Sequence, residues 1–357
     1  MVNVKEFISF LQRNRGNIVA KSDDVGTYTY VMRQILKSYI SPVINNAAVT
    51  VLFYRYIEEK GDLRALSADT FKSAKSNDKM SISFIVAVTA SFLTEDVSKP
   101  LVCAHRGDNV NAPENTLPAF ELAASESLKW IELDVHQTSD GVIVCNHDST
   151  IKRTAGQNMA IHDHTYAELS QYELGPWMPG NYEHVKMTTL REALEFARKT
   201  NMNVQVELKG HPSDVGFEEN VLKVINETGM RDNVMIIAQD AKRLQRIKEL
   251  DPDITKGYCM VIAVGNLNDI DYTDNITIEE TNVTPELVRE MHAQGKKVFC
   301  WTVDLDDTVQ YLVSCDVDVI GTDNPMLISN AVEKADCKGG VARVFHIIMH
   351  IIATMDK

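Results

Sequence analysis

A closed (β/α)8 TIM barrel with a helical N-terminal extension is the fold this sequence predicts, and three observations carry it. From Lys99–Pro100 onward, short apolar runs alternate with amphipathic segments, the rhythm of parallel strands joined by crossover helices. About eight main runs fall within roughly 230 residues, which suits one such barrel. Polar residues recur at the C-terminal end of run after run, where barrels of this kind keep their reactive groups. An open doubly wound sheet is the lesser alternative, since neither GxGxxG nor a GxxxxGK phosphate loop follows a strand.

Taken in order, LVCAH (101–105) reads as a strand and NTLPAFELAASES as a helix that starts near Asn115 or Thr116. WIELDV and VIVCNHD read as strands, TTLREALEFARKT as a helix, NVQVELK as a strand and FEENVLKVINETG as a helix. NVMIIAQ (strand), AKRLQRIKEL (helix), TKGYCMV and ITIEET (strands) follow, then TPELVREMHAQG (helix), KVFCWTVD (strand), DTVQYLVSC (helix) and DVIGTD (strand).

This organisation divides the chain into a helical N-terminal region (1–98), the barrel (99–332) and a C-terminal helical tail (333–357). Two N-terminal runs, Ser38–Tyr54 and Met80–Leu93, read first as ordinary buried helices, with membrane contact as the alternative. The second, as a helix, reaches only roughly 21 Å against a bilayer core of about 30 Å. No secretion signal opens the chain, so a cytoplasmic or membrane-associated location is expected. The six cysteines are scattered without a CxxC pair, which favours reduced, buried thiols over zinc ligation. The net charge of -14 argues against a nucleic-acid partner. The oligomeric state is not encoded in any pattern seen here.

The strand ends carry the chemistry. Glu132 and Asp134 are two residues apart, so in a strand both side chains face one way, here the barrel interior. Buried carboxylates are costly unless paired or metal-bound. With Glu207 from a neighbouring strand they form a hard oxygen set suited to a divalent cation, Mg2+ or Ca2+; ion pairing to Arg106 and Lys209 is the bland alternative. His105 and His147, expected at adjacent strand ends, offer an acid and a base near neutral pH. Arg106 and Lys209 are donors suited to a phosphate. Together these residues point to phosphoester hydrolysis. His162 and His164 read as a solvated loop, His346 and His350 as helix surface, and His136 as facing a helix rather than the site.

HRG (105–107), PENTLPAF (113–120), IELDVHQTSDGVIVCNHD (131–148), VELK (206–209), WTVD (301–304) and VIGTDNP (319–325) occur in the order seen in the glycerophosphodiester phosphodiesterase family. The resemblance covers about residues 101–330. It implies a metal-dependent hydrolase that releases sn-glycerol 3-phosphate and an alcohol from a small-molecule glycerophosphodiester. By motif, His105 and His147 resemble the catalytic pair and Glu132, Asp134 and Glu207 the metal ligands. Arg106 and Lys209 would hold phosphate, Trp301 would pack against glycerol, and Asn115 would steady the first loop. Leu174–Lys186 resembles an insertion that covers the glycerol side. MTTLREA lacks the family's proline, with an effect expected only on a loop, and IIAQDAKRL lacks the usual Ser and Phe. KGYCMV and ITIEET, with Glu279 or Glu280 near the site, resemble the branch that carries an N-terminal membrane domain. A lysophospholipase D-like or polymer phosphodiesterase, or a non-catalytic headgroup-binding barrel, are the alternatives.

Overall fold

The structure, a computed structural model, describes residues 96–175, 178, 180, 182–261, 270 and 272–339, together with positions 343, 346, 347 and 350. The calls on Ser38–Tyr54, Met80–Leu93 and nearly all of residues 1–98 lie outside the described residues. Among the described residues, no helix is long and apolar enough to cross a membrane.

Lys99–Ala335 forms one compact unit built on a closed parallel barrel. Its eight barrel strands are β1 (Leu101–Ala104), β2 (Trp130–Gln137), β4 (Asn203–Leu208), β5 (Val234–Ala238), β6 (Thr255–Met260), β7 (Asn275–Glu279), β8 (Lys297–Trp301) and β9 (Val319–Thr322). Each pairs in parallel with its neighbours, and β1 closes the ring by pairing with both β2 and β9. The helices between them are α1 (Leu117–Ser125), α2 (Lys152–Ala155), α3 (Tyr166–Leu169), α4 (Leu190–Thr200), α5 (Phe217–Thr228), α6 (Ala241–Leu250), α7 (Pro285–Ala293), α8 (Asp306–Cys315) and α9 (Pro325–Lys334).

Local chemistry sets these boundaries. Thr189 caps α4 in a capping box with Glu192, and Asn201 ends it in the left-handed region. Pro285 and Pro325 open α7 and α9 where a missing N–H costs nothing, behind the caps Thr284 and Asn324. Leu190, Ala193, Leu194 and Ala197 recur at helical spacing and are buried, so α4 presents one apolar face. Each fully buried Leu of this kind stabilises the fold by about 1.5–3 kcal/mol. Inside the barrel, Cys103, Met235, Ile237, Phe299 and Val319 form a buried cluster, with Trp130 edge-on to Phe299 at 5.6 Å. The barrel is therefore filled below its mouth.

One strand departs from the expectation. The run Val142–Asp148, read as one more strand in the series, contributes β3 (Ile143–Cys145), which pairs antiparallel with Val135–Gln137 of β2 and lies outside the barrel ring. The cause is the connection: only residues 138–142 separate the two strands, too few for a parallel crossover. A turn closed by Gly141 N–H on the Thr138 carbonyl, with Gly141 at φ 81, makes a hairpin instead. The proline-free stretch at Met187–Ala193 does more than shape a loop, because Thr188 carbonyl accepts from Cys145 N–H at 2.8 Å and anchors β3. Val144, Ile151, Ile161, Leu169, Leu174 and Met187 pack beneath this flap.

The β1–α1 loop is held tightly. Arg106 and Gly107 are both left-handed, at φ 57 and φ 80. A Cβ on Gly107 would stand 2.7 Å from Ala119 Cβ and 2.8 Å from the Ala119 carbonyl carbon, so α1 packs directly on the loop backbone. Gly107→Ala therefore meets backbone strain and a clash at once, costing at least about 2 kcal/mol. In a barrel of this size that lowers Tm by roughly 4–8 °C, read by thermal melting; a Tm within about 1 °C of wild type would contradict this packing.

Candidate active site

Glu132, Asp134 and Glu207 are all buried, and one carboxylate oxygen from each lies within 4.8 Å of the others. Strand register brings this about: Asp134 sits directly opposite Glu207 in the β2–β4 ladder, and Glu132 is one inward position below. Asn115, left-handed at φ 57, donates to Asp134 Oδ2 at 2.9 Å and accepts from Asp134 N–H at 3.1 Å. Arg106 N–H donates to Glu132 Oε2 at 3.0 Å. Among the described residues, Glu132 Oε1 and Asp134 Oδ1 are buried and accept no well-aligned hydrogen bond, though Lys209 Nζ stands 3.4 Å from the latter. Two buried carboxylate oxygens that accept no hydrogen bond, in a three-carboxylate cluster, fit a hard divalent cation. Burial, followed by the charge of Asp134, pushes Glu132 up to about 8. Burial and Asp134 likewise raise Glu207. Burial works against Asp134 too, but Lys209 and Arg106 outweigh it and hold its carboxyl below the usual range.

Two cations face this cluster. Lys209 Nζ lies 2.7 Å from Glu207 Oε1 and 3.4 Å from Asp134 Oδ1, and Arg106 Nε lies 3.2 Å from Asp134 Oδ2. The bland expectation of ion pairing thus holds alongside the cation-like pocket.

The two imidazoles reach the same mouth by different routes. His105 follows β1; its Nδ1 is 2.6 Å from Asp323 Oδ1 and its Nε2 is 3.9 Å from Glu132 Oε2. Burial opposes an imidazolium there, but the Asp323 hydrogen bond and Glu132 outweigh it, so the His105 pKa is raised. His147 comes from the flap rather than from an adjacent barrel strand. The antiparallel course of β3 returns the chain to the strand ends, where Asn146 N–H donates to the Asp134 carbonyl at 3.0 Å. His147 Nδ1 is 2.8 Å from Asp148 Oδ1. Asp134 feels the charge of both imidazoles.

Several neighbours carry no role in the sequence reading. Asp323 directly follows β9 and is itself held by Asn109 Nδ2 at 2.5 Å; its N–H donates to Asp304 Oδ1 at 2.9 Å. The strand-end rule that found His105 applies to Asp323 equally. Glu114 accepts from Arg106 Nη1 at 3.2 Å and from Arg153, which also bonds Asp148. Burial would raise Asp148, but Arg153 and His147 outweigh it and bring it down to about 2.

His136 does not face a helix away from the site. Residues two apart share a strand face, and its Nε2 lies 3.2 Å from the His147 carbonyl. His162 stacks on His211 at 3.9 Å, and His164 bonds the Ala160 carbonyl. His346 is half-buried, 3.9 Å from Asp336. Glu279 caps the short turn Glu280–Asn282. Trp301 is half-buried at the end of β8, level with Glu279, and its indole N–H has no hydrogen-bond partner among the described residues. In the insertion, Tyr182 O–H donates to the Asn111 carbonyl at 2.7 Å, which fastens it to the first loop.

The sequence model described as the glycerophosphoryl diester phosphodiesterase family matches residues 105–327. This chain belongs to that family. As in its relatives, the family portion is the barrel: a glycerophosphodiester phosphodiesterase of Caldanaerobacter subterraneus is 32% identical over 240 residues, covering 66% of this chain and 99% of the relative. Among solved structures, an Oleispira antarctica phosphodiesterase in complex with the product sn-glycerol-3-phosphate is 28% identical, with a TM-score of 0.60, and covers 66% of this chain and 97% of that one. A glycerophosphodiester phosphodiesterase from Agrobacterium tumefaciens shares the fold at 24% identity and a TM-score of 0.58, covering 65% of this chain and 99% of that one.

Proposed function

We propose that this chain hydrolyses glycerophosphodiesters to sn-glycerol 3-phosphate and the headgroup alcohol. The supporting observation is convergence: two carboxylate-backed imidazoles and two cations gather around three buried carboxylates at one barrel mouth. Arg106 and Lys209 bind the phosphate oxygens and orient the diester. Trp301 offers its ring to the glycerol moiety. Asp323 and Asp148 each fix an imidazole Nδ1, which leaves Nε2 to exchange protons. One imidazole takes the proton of the attacking oxygen and the other protonates the leaving alcohol. A divalent cation held by Glu132, Asp134 and Glu207, Mg2+ or Ca2+ by the hardness of the donors, supplies charge neutralisation at the phosphate.

Glycerol 3-phosphate release from glycerophosphocholine, followed by a coupled assay, tests this reading. Product is expected with Mg2+ or Ca2+ and is lost in EDTA; no product with any headgroup and any divalent ion would sink it and favour a headgroup-binding barrel. A second reading, single-chain lysophospholipids as substrates, draws on one observation. Val110, Val215, Val261, Leu305 and Met326 are exposed apolar side chains, all on segments that follow the strand C-termini. A higher kcat/KM for lysophosphatidylcholine than for glycerophosphocholine would select it.

A further inference from the structure

We propose that Arg153 is a positioning residue that locks the phosphate-binding Arg106 and the proton-transferring His147 into one rigid unit. The proposal rests on the phosphodiesterase reading above for the roles of those two residues, and on geometry for the link between them.

Arg153 lies in α2, the single helical turn after the flap strand β3, which Gly156 ends in the left-handed region. Its guanidinium grips two carboxylates at once. Nη1 donates to Glu114 Oε2 at 2.5 Å and Nη2 to Glu114 Oε1 at 2.8 Å, a two-pronged pair across 39 residues of chain. Nε donates to Asp148 Oδ2 at 2.9 Å, and Nη2 also reaches Asp148 Oδ1 at 3.3 Å. Each carboxylate holds a site residue on its other side. Glu114 Oε1 accepts from Arg106 Nη1 at 3.2 Å, and Asp148 Oδ1 lies 2.8 Å from His147 Nδ1. The series Arg106–Glu114–Arg153–Asp148–His147 therefore joins the β1 loop of the barrel to the flap.

The flap needs such a tie. β3 meets the barrel at three register positions of β2, and beyond them the Asn146 N–H and the His147 carbonyl hold the backbone, which leaves the imidazole ring itself to be fixed by other groups. Arg153 supplies that hold at the ring, through the Asp148 carboxylate that meets His147 Nδ1. It also completes Glu114, whose side chain is only 12% exposed and would otherwise answer to Arg106 alone. A guanidinium suits this post because its planar fork presents several donors in fixed directions and can pair two-pronged with a carboxylate; a compact ammonium offers no such fork. Arg153 is 43% exposed, and when it is replaced Glu114 keeps Arg106 as a partner, so the fold tolerates its loss.

Arg153→Met keeps much of the side-chain stem and removes the fork. In the full-length protein it lowers kcat/KM for glycerophosphocholine by about 10–100-fold, the usual range for groups that orient a catalytic residue from behind. Arg153→Lys stays at least about fivefold below wild type. In a Glu114→Gln, Asp148→Asn background the Met substitution changes kcat/KM by less than about twofold, because the linkage it breaks is already gone. Wild-type activity in Arg153→Lys, or a full additive loss in the double-mutant background, overturns the proposal. A second readout stands apart from turnover. In 15N imidazole spectra the His147 Nδ1 resonance, assigned by its absence in His147→Gln, shifts or broadens in Arg153→Met while the His105 resonances hold. If the wild-type chain turns over no glycerophosphodiester, the functional reading fails and these spectra alone decide; an unchanged His147 resonance overturns the linkage.

Discussion

His105→Ala lowers kcat/KM for glycerophosphocholine by about 10²–10⁴-fold, the usual worth of a positioned proton-transfer group. That is about 3–5 kcal/mol of transition-state stabilisation. The side chain is mostly buried between Asp323 and Glu132, so its loss removes both the proton carrier and the group that faces the carboxylate cluster. Alanine leaves Asp323 still bonded to Asn109, which keeps the loop folded and makes the loss one of chemistry. Asp323→Asn is the companion measurement. It keeps the shape but offers the wrong hydrogen-bonding partner to Nδ1, and its effect falls between wild type and His105→Ala. Full activity in His105→Ala removes the assignment whatever the substrate.

Glu132→Gln should separate activity from stability. Glu132 is buried beside two other carboxylates, and burial together with Asp134 raises its pKa to about 8. A carboxyl whose folded pKa is raised binds more protons folded than unfolded, so the cation-free protein loses stability as pH rises from the ordinary carboxyl range through about 8. The amide cannot ionise, so the variant escapes this loss. Relief of about 1 kcal/mol raises Tm by about 2–4 °C in a domain of this size. The same change removes an anionic ligand, and cation-dependent activity falls at least about 100-fold. Cation affinity of the wild type tightens as pH rises towards 8, because binding must expel the proton that Glu132 holds. In Glu132→Gln that pH slope diminishes. Calorimetric titration with Ca2+ or Mg2+ across pH, beside melts in EDTA, reads both effects. A variant that binds the cation as tightly as wild type would remove Glu132 from the ligand set.

The barrel was legible in the sequence because strand and helix periods alternate cleanly from LVCAH to VIGTD. The carboxylate trio was legible because a two-residue spacing fixes the face of Glu132 and Asp134 and the next strand end supplies Glu207. The orientation of β3 was readable in principle, since TSDG leaves no room for a crossover, yet an apolar run looks alike in either direction. His136 illustrates the same point: its face follows from simple alternation and was misassigned. Glu114 and Arg153 were not legible. Asp148 and Arg106 lie near them in sequence, but the contact between the two spans 39 residues, and no local pattern marks an exposed arginine on a four-residue helix as its partner. Asp323 sat at a strand end like the other site residues, but its meaning depends on β9 lying beside β1.

That neighbouring pair of strands has a temporal meaning as well. His105 and Asp323 are 218 positions apart in the chain, and the bond between them crosses the seam where the last strand pairs with the first. A polypeptide still emerging from the ribosome lacks its ninth strand, so its imidazole has no carboxylate behind it, however far the earlier strands have collapsed. The carboxylate behind His105 thus arrives in the same event as closure of the ring.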